Sequence, residues 1–311
     1  MDSTLSLHGV CDIADWGVIR ADGVDADKFL QGQLTNDVIG LDAAHARLAG
    51  FCSAKGRLQA SFVVWRTGDD GFLLACSRSL LAPTLKRLSM FVLRARCKLS
   101  DASGTLTLRG AAGTAADGLL GDLGVWSRRD LDGRTAIRLP DADGVKRALL
   151  VAAAGPDAAP VAGGLTIDAW RWLEVRSGVV TIEAATVDRF VPQMVNYEIV
   201  GGVDFQKGCY PGQEVVARSQ YRGTTKRRTL LFDTDQTAVA GQDVVSSAVP
   251  GEPVGTVASA AAWPGRPGGS ALVEVRLSAL DTDLHLGSVD GPLLRRAELP
   301  YSIGLEGRPA T

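Results

Sequence analysis

The run Lys207-Gly208-Cys209-Tyr210-Pro211-Gly212-Gln213-Glu214 sets a thiol where backbone and charge can both act on it. Pro211 suits the first position of a helix and Glu214 favours a first turn. Val215-Val216-Ala217-Arg218 therefore reads as a short helix beginning just after the cysteine. A helix N-terminus and the nearby Lys207 would lower the thiol pKa from its free value of roughly 8.5, giving a partly ionised nucleophile or metal ligand. Gly208 and Gly212 leave room for other backbone or a ligand to come close. The competing reading is a small buried hydrophobe flanked by turn glycines. On these residues alone both stand.

A second chemical candidate is Glu174. Thr166 can cap a helix, Ile167, Trp170 and Leu173 share a face, and Gly178 ends it. Arg171 and Glu174 lie about one turn apart, so the carboxylate is either half of a solvated surface pair or is reaching for something else. The polar stretch Gln31-Gly32-Gln33-Leu34-Thr35-Asn36-Asp37 interrupts an apolar pattern. Its Asn36 and neighbours offer donors and acceptors to a ligand, or simply close one helix at Gly32 and cap the next turn. The cluster Arg218, Arg222, Lys226, Arg227 and Arg228 would attract an acidic ligand tail or RNA; a solvated charge run between domains is the reading preferred.

The elements that must position these groups fall into three stretches. Val18–Ala21 reads as a strand that leads into a helix capped by Asp25 and running to Leu30. Residues 52–66 read as a turn followed by a strand, joined to a second strand, Gly71–Cys76, by a hairpin at Thr67-Gly68-Asp69-Asp70. Leu80 to Val92 carries helical spacing, and Cys97–Ser100 is extended again, which makes a small α+β unit. Residues 101–165 are rich in Ala, Gly and Asp, with short apolar runs at Leu106–Leu108 and Ala136–Leu139 and a loop over 155–160. After Lys226 the character changes to short apolar runs, Thr229–Phe232, Asp243–Val245, Val254–Ala258 and Ala271–Arg276, separated by Gly/Pro turns. These predict a small β-barrel or sandwich and a domain boundary near 225.

Composition bounds the rest. The 311 residues are 46% hydrophobic and 22% charged, as in an ordinary globular protein. Lys plus Arg number 33 against 35 Asp plus Glu, which gives no global field for direct DNA binding or membrane binding. Cys11, Cys52, Cys76, Cys97 and Cys209 are odd in number and form no CxxC pair, arguing against a disulfide framework and a cysteine-built zinc site. The three histidines stand singly, so no metal site is expected. The N-terminus lacks a basic segment leading into an apolar core, and no stretch reaches about 18 apolar residues, so a cytoplasmic protein is expected. No exposed heptad argues for assembly, and monomer is the default.

The cysteine run, preceded by Asn196-Tyr197-Glu198 and Val203-Asp204-Phe205, closely resembles the signature of the YgfZ family of folate-binding proteins. That family is related to the aminomethyltransferase, or T-protein, of the glycine cleavage system. The resemblance covers nearly the whole chain, through Phe29–Asp37, Lys55-Gly56-Arg57, the Glu174 helix and Gly255–Ser259. It implies a three-part α+β architecture around a central hole that binds tetrahydrofolate or a one-carbon-substituted folate. The expected parts are a folate-binding core of residues 1–45 and 105–225, an inserted ferredoxin-like α+β subdomain at 46–104, and a C-terminal β-barrel at 226–311. It carries the functionally sensitive lysine and cysteine onto Lys207 and Cys209, and the pterin-holding glutamate onto Glu174. A carboxylate suits a pterin because it accepts two parallel hydrogen bonds from the amino group and ring N–H. Tyr197, Arg218, Asn36 and Gln213 are further candidates for the cofactor.

One departure separates enzyme classes. Laying Gly56–Val64 against the T-protein puts Ala60 and Ser61 where that enzyme has its catalytic acid. Neutral side chains cannot replace such a group, which typically contributes about 10²- to 10⁴-fold in rate. The resemblance thus implies an accessory protein for assembly or repair of iron–sulfur enzymes, including the radical enzymes that thiomethylate tRNA. The first alternative is a one-carbon transferase whose acid has moved to Asp204 or Glu198. The second is an interaction module with a vestigial pocket.

Overall fold

The computed structural model describes residues 7–155, 164–221 and 225–304. Most of the loop expected at 155–160, and Arg222 of the basic cluster, lie outside the described residues. The chain runs β1 (Gly9–Asp12), β2 (Trp16–Asp22), α1 (Ala26–Gln31), β3 (Ala46–Cys52), β4 (Leu58–Arg66), β5 (Gly71–Ser77), α2 (Arg78–Ser89), β6 (Lys98–Asp101), β7 (Leu106–Ala112) and α3 (Thr114–Leu120). It continues β8 (Arg128–Leu131), β9 (Arg134–Ala142), β10 (Val145–Ala153), α4 (Ile167–Arg176), α5 (Gln213–Tyr221), β11 (Arg227–Thr234), β12 (Asp243–Ser246), β13 (Val249–Ala262), β14 (Gly269–Arg276), β15 (Leu284–Leu286) and β16 (Arg295–Ala297).

Three antiparallel sheets result, in the orders β1-β7-β10-β9-β8, β3-β4-β5-β2-β6 and β15-β12-β13-β14-β11-β16. The first two face each other, and α4 joins their shared core. Val18, Trp65 and Leu73 of the second sheet meet Ile137 and Leu149 of the first, together with Trp170 and Leu173 of α4. Gly110 permits this contact, since a Cβ there would lie 2.4 Å from the Trp170 ring. The other face of the second sheet packs Phe62, Phe72 and Leu74 against Phe29 and Leu30 of α1 and Leu81 and Leu88 of α2. The third sheet curls around Phe232, Val244, Val257 and Val273. Its outer residues Leu231, Ala258 and Leu272 close on Val175, Val180 and Tyr197. The segment 178–210 contributes Val180, Ile182, Phe190, Val195, Tyr197, Val203 and Tyr210 to this junction.

Most elements follow the sequence pattern, and the exceptions have local causes. Asp25 occupies the N-cap of α1, yet its carboxylate accepts from Arg96 N–H at 2.8 Å instead of capping the helix. Thr166 does cap α4, accepting from Ala169 N–H at 3.1 Å, and Gly178 follows with a positive φ of 73°. The expected helix to Val92 stops at Ser89, because the chain turns through Leu93 at φ 37°. Sheet membership also crosses the expected boundary at 45/46: β2 is hydrogen-bonded between β5 and β6. No helix among the described residues is long and apolar enough to cross a membrane.

Candidate functional site

Glu174 projects from α4, whose Trp170 and Leu173 face is fixed in the shared core. Its carboxylate makes no hydrogen bond or ion pair with any described residue; the backbone carbonyl alone accepts, from Ser177 Oγ at 2.6 Å. The expected Arg171–Glu174 surface pair is therefore corrected. Arg171 turns instead to Asp15 at 2.8 Å and Asp168 at 3.4 Å, because the β1–β2 turn carries Asp15 to its side of the helix. Burial pushes the Glu174 carboxyl up to about 8 against the pull of the Arg147 guanidinium, with Asp15 and Glu183 adding to the rise.

Two cavities meet at this carboxylate. The inner one, about 40 Å³, is walled by Trp16, Ser61, Trp126, Arg147, Ser177 and Val180. The outer mouth, about 560 Å³, is rimmed by Asp15, Ser77, Arg78, Arg171 and Glu183. Both include Trp16, Glu174, Val179 and Thr181, so they adjoin across the glutamate. A second opening of about 320 Å³, bordered by Val125, Ile199 and Tyr301, shares Trp126, Pro140, Ser177 and Val179 with the inner cavity. The three adjoin in series through these shared walls and outline a passage, with Glu174 between its inner cavity and its mouth.

The cysteine loop lies elsewhere on the same assembly of parts. All five cysteines are free thiols; Cys52, Cys76 and Cys97 are buried, Cys11 is half-buried, and Cys209 is exposed. Burial pushes Cys11, Cys52 and Cys76 up to about 12 and Cys97 to about 11, which leaves them inert as nucleophiles near neutral pH. The helix expected directly after the cysteine begins at Gln213, beyond a turn through Pro211 and Gly212. Lys207 is 9% exposed, and its ammonium donates to Gln31 O and to Leu34 O at 2.6 Å, while resting 4.9 Å from the Tyr210 ring centroid. Desolvation pulls Lys207 down to about 8, with Asp37, Asp204 and Cys209 acting in the opposite direction. It thus ties the cysteine loop to the end of α1. Neither Lys207 nor Cys209 lines the two cavities that meet at Glu174.

The two glycines of the run have different duties. Gly212 has φ 79°, and a Cβ there would lie 2.3 Å from Ser53 O and 2.5 Å from Gly56 N, so the loop docks backbone to backbone on the Lys55-Gly56-Arg57 turn. Gly208 meets nothing within 4 Å. Gly212→Ala is expected to cost about 2 kcal/mol or more, from the left-handed conformation plus the clash. Gly208→Ala is expected to leave the thermal midpoint within a degree or two, since such surface changes stay within about 0.5 kcal/mol. Equal midpoints for the two variants would contradict this docking.

The remaining candidates separate. Tyr197 is fully buried and donates its hydroxyl to Val180 O at 2.6 Å, so it braces the cavity wall. Asn36 donates to Leu48 O at 2.8 Å and Gly201 O at 2.7 Å, joining β3 to the turn at Gly201. Gln213 and Arg218 sit on α5, half-buried and exposed respectively. Ser61 faces the inner cavity and accepts from Ile182 N–H at 2.9 Å, whereas Ala60 packs on the opposite face of β4. Glu198 is ion-paired to Arg228, and Asp204 lines a separate depression with Asn36 and Arg47. Of the basic cluster, Arg218 and Lys226 are exposed, as a solvated run requires, whereas Arg227 and Arg228 are not part of one. Arg227 grips Glu274 through both carboxylate oxygens, the second contact at 2.9 Å, and Arg228 holds Glu198, because β14 and the 192–198 segment each present an acid to β11.

Two residues of the passage escaped the sequence reading. Arg147, 3% exposed, faces the inner cavity; its Nε donates to Pro140 O at 3.1 Å and its Nη1 has no partner among the described residues. It alternates with Leu149 and Val151 on the inward face of β10, and a lone arginine in phase with a strand's apolar face is the signal that would have found it. Trp126 borders both the inner cavity and the second opening at a left-handed φ of 67°, pinned by Ala46 N–H on its carbonyl at 2.7 Å. A strained, isolated tryptophan has no local sequence signature.

No protein-family model matches the chain. Its fold is that of the glycine cleavage system aminomethyltransferase T of Bartonella henselae, with a TM-score of 0.71 over 94% of this chain and 86% of that one at 14% identity. The relatives are much nearer in sequence. A tRNA-modifying protein YgfZ of Edwardsiella ictaluri is 34% identical over 68% of this chain and 67% of its own length. That of Klebsiella pneumoniae is 32% identical over 93% of this chain and 91% of its own. The corresponding protein of Escherichia coli strain UTI89 is 30% identical over 93% and 92%. With identity of this level running almost end to end on a T-protein fold, the chain belongs to the YgfZ family.

Proposed function

We propose that this protein binds tetrahydrofolate or a one-carbon-substituted folate and acts as an accessory factor in assembly or repair of iron–sulfur enzymes. Its influence on tRNA modification would then run through the radical enzymes that thiomethylate tRNA, in keeping with the name its relatives bear. The reading places it in the cytoplasm as a monomer that meets its client enzymes transiently.

One observation carries the folate reading: a carboxylate without a partner stands at the waist of an internal passage, facing a buried guanidinium with an unspent N–H. These residues fit a pterin. Glu174 would accept from the amino group and ring N–H, and the bicyclic ring would place its pyrimidine edge in the narrow inner cavity and the remainder in the mouth. A bound folate would supply a one-carbon unit or the nitrogen that accepts one. Ser61, facing the cavity where the T-protein resemblance expects an acid, offers a hydroxyl without a charge. Glu198 is committed to Arg228 and Asp204 lies outside the passage, so neither stands in for that acid, which favours the accessory role over the transferase.

Cys209 and Lys207 supply the second part of the reading. The exposed thiol, on a loop held in place by the buried lysine and Gly212, is available to a client protein or a transient cluster. One thiolate is a partial ligand set at most, since such clusters usually take four cysteines.

Calorimetry with tetrahydrofolate tests the first part. Wild type is expected to bind, and Glu174→Ala to bind at least tenfold more weakly, as loss of a charged acceptor implies. Absence of heat in both proteins removes the folate reading. Deleting the gene and assaying several iron–sulfur enzymes tests the second; complementation by Cys209→Ala is expected to fail, and full rescue would refute a thiol-dependent role.

A further inference from the structure

We propose that Arg147 is the specificity-determining residue of the Glu174 site: its guanidinium donates to a ring carbonyl oxygen beside the groups that Glu174 accepts from, so the site selects 2-amino-4-oxopyrimidine rings over 2,4-diamino ones. This deepens the folate reading and rests on it.

Three observations meet at Arg147. First, it is buried and lines the inner cavity, and its Nη1 has no partner among the described residues. An orphaned charged donor is expensive in the interior and calls for an acceptor the protein itself does not provide. Second, the side chain is fixed. Nε donates to Pro140 O at 3.1 Å, and the guanidinium carbon lies 5.2 Å from the Trp170 ring centroid, which holds the plane against the core. Third, Arg147 and Glu174 both line the inner cavity, and they do not close into an ion pair. A separation of this kind leaves space for a ligand edge that presents donors to one group and an acceptor to the other.

A 2-amino-4-oxopyrimidine presents this pattern. Its amino group and adjacent ring N–H point toward one partner, and the neighbouring carbonyl oxygen points toward the next. Both charges are then satisfied at once, with Arg147 remaining a cation at neutral pH. Exchanging the ring carbonyl for an amino group sets a donor against a donor and leaves the guanidinium buried and unpaired, and it also removes the adjacent ring N–H that Glu174 accepts from. Mismatches of this type cost roughly tenfold to a thousandfold in affinity.

The test compares folic acid with its 4-amino analogue aminopterin, which differ at this ring substituent and the hydrogen on the ring nitrogen beside it, by calorimetric titration of the full-length protein beside tetrahydrofolate. Wild type is expected to prefer the 4-oxo compound by at least about tenfold. Arg147→Met, similar in volume and without donors, is expected to cut the ratio at least about fivefold, leaving only the part that Glu174 contributes through the ring N–H. Arg147→Lys, which keeps the charge acting on Glu174 but loses the forked geometry, is expected to fall between and serves if the methionine variant does not fold. Equal affinities in wild type, or a preference that survives unchanged in a folded Arg147 variant, overturns the inference while leaving folate binding intact. Failure of wild type to bind tetrahydrofolate at all overturns the reading beneath it as well.

Discussion

Replacing Arg228 by methionine is expected to cost about 3–5 kcal/mol of stability, the penalty typical of leaving one partner of a buried ion pair uncompensated. Arg228 begins the barrel on β11, and from there Nη1 reaches the Glu198 carboxylate and Gln193 O at 2.9 Å. The Glu198 side chain is 8% exposed; Arg228 meets its Oε1, and its Oε2 has no hydrogen-bond partner among the described residues. Burial raises the Glu198 carboxyl, and the Arg228 guanidinium is what opposes that rise. Without the arginine the raised folded-state value climbs further. Stability is then retained at pH values below the unfolded carboxyl range and lost as pH rises, so the deficit of the variant should be largest near pH 8 and shrink toward pH 4. The double variant Arg228→Met/Glu198→Gln removes both charges and is expected to recover more than half of the loss. Denaturant midpoints would measure it; a single-variant cost below about 1 kcal/mol, or a double variant no better than the single, would refute the pair's role. The consequence reaches the passage, because the segment from Pro192 to Glu198 includes Tyr197, whose hydroxyl holds the Val180 wall of the inner cavity.

What could be read from the sequence divides along the range of the forces involved. The α4 helix was legible because its cap, its apolar face and its terminal glycine all lie within a dozen residues. The four apolar runs after Lys226 each fall inside a strand of the third sheet, since Gly and Pro turns punctuate that stretch locally. Between 101 and 165 the signal is weaker, although the runs Leu106–Leu108 and Ala136–Leu139 do fall inside β7 and β9. There Ala111, Ala136 and Ala148 form a sheet face against α3 through small side chains, which carry little hydrophobic periodicity. At the site, Glu174 was legible as a carboxylate on a tryptophan-bearing helix. Its solitude was not, because Arg171 is drawn away by Asp15, which precedes it by some 150 residues. The basic cluster misled for the same reason: five cations close in sequence say nothing of Glu198 and Glu274, which reach two of them only through the fold.

Glu174 itself should be a liability to the ligand-free fold, so Glu174→Gln is expected to make the protein more stable at neutral pH by about 3 kcal/mol. The folded carboxyl lies at about 8 because burial disfavours its charge more than Arg147 favours it, whereas the unfolded chain ionises near the ordinary value of 4.5. A folded-state value above the unfolded one gives stability that is fully present below about pH 4.5 and is lost as pH rises through 8. Glutamine has the same shape and no such loss. The two proteins should therefore unfold alike near pH 4.5, diverge steadily to about pH 8, and keep a constant gap above it. A folate edge that donates to the carboxylate reverses the balance by holding the charged form, so saturating tetrahydrofolate should narrow the gap in wild type and leave the glutamine variant nearly unmoved. Denaturation midpoints measured across this range with and without the ligand would decide the matter. Parallel curves would mean that the carboxylate is already solvated or paired, and the energetic reason for a ligand at the waist of the passage would be gone. A residue kept at such cost in the empty protein is intelligible when its charge is needed only once the passage is filled.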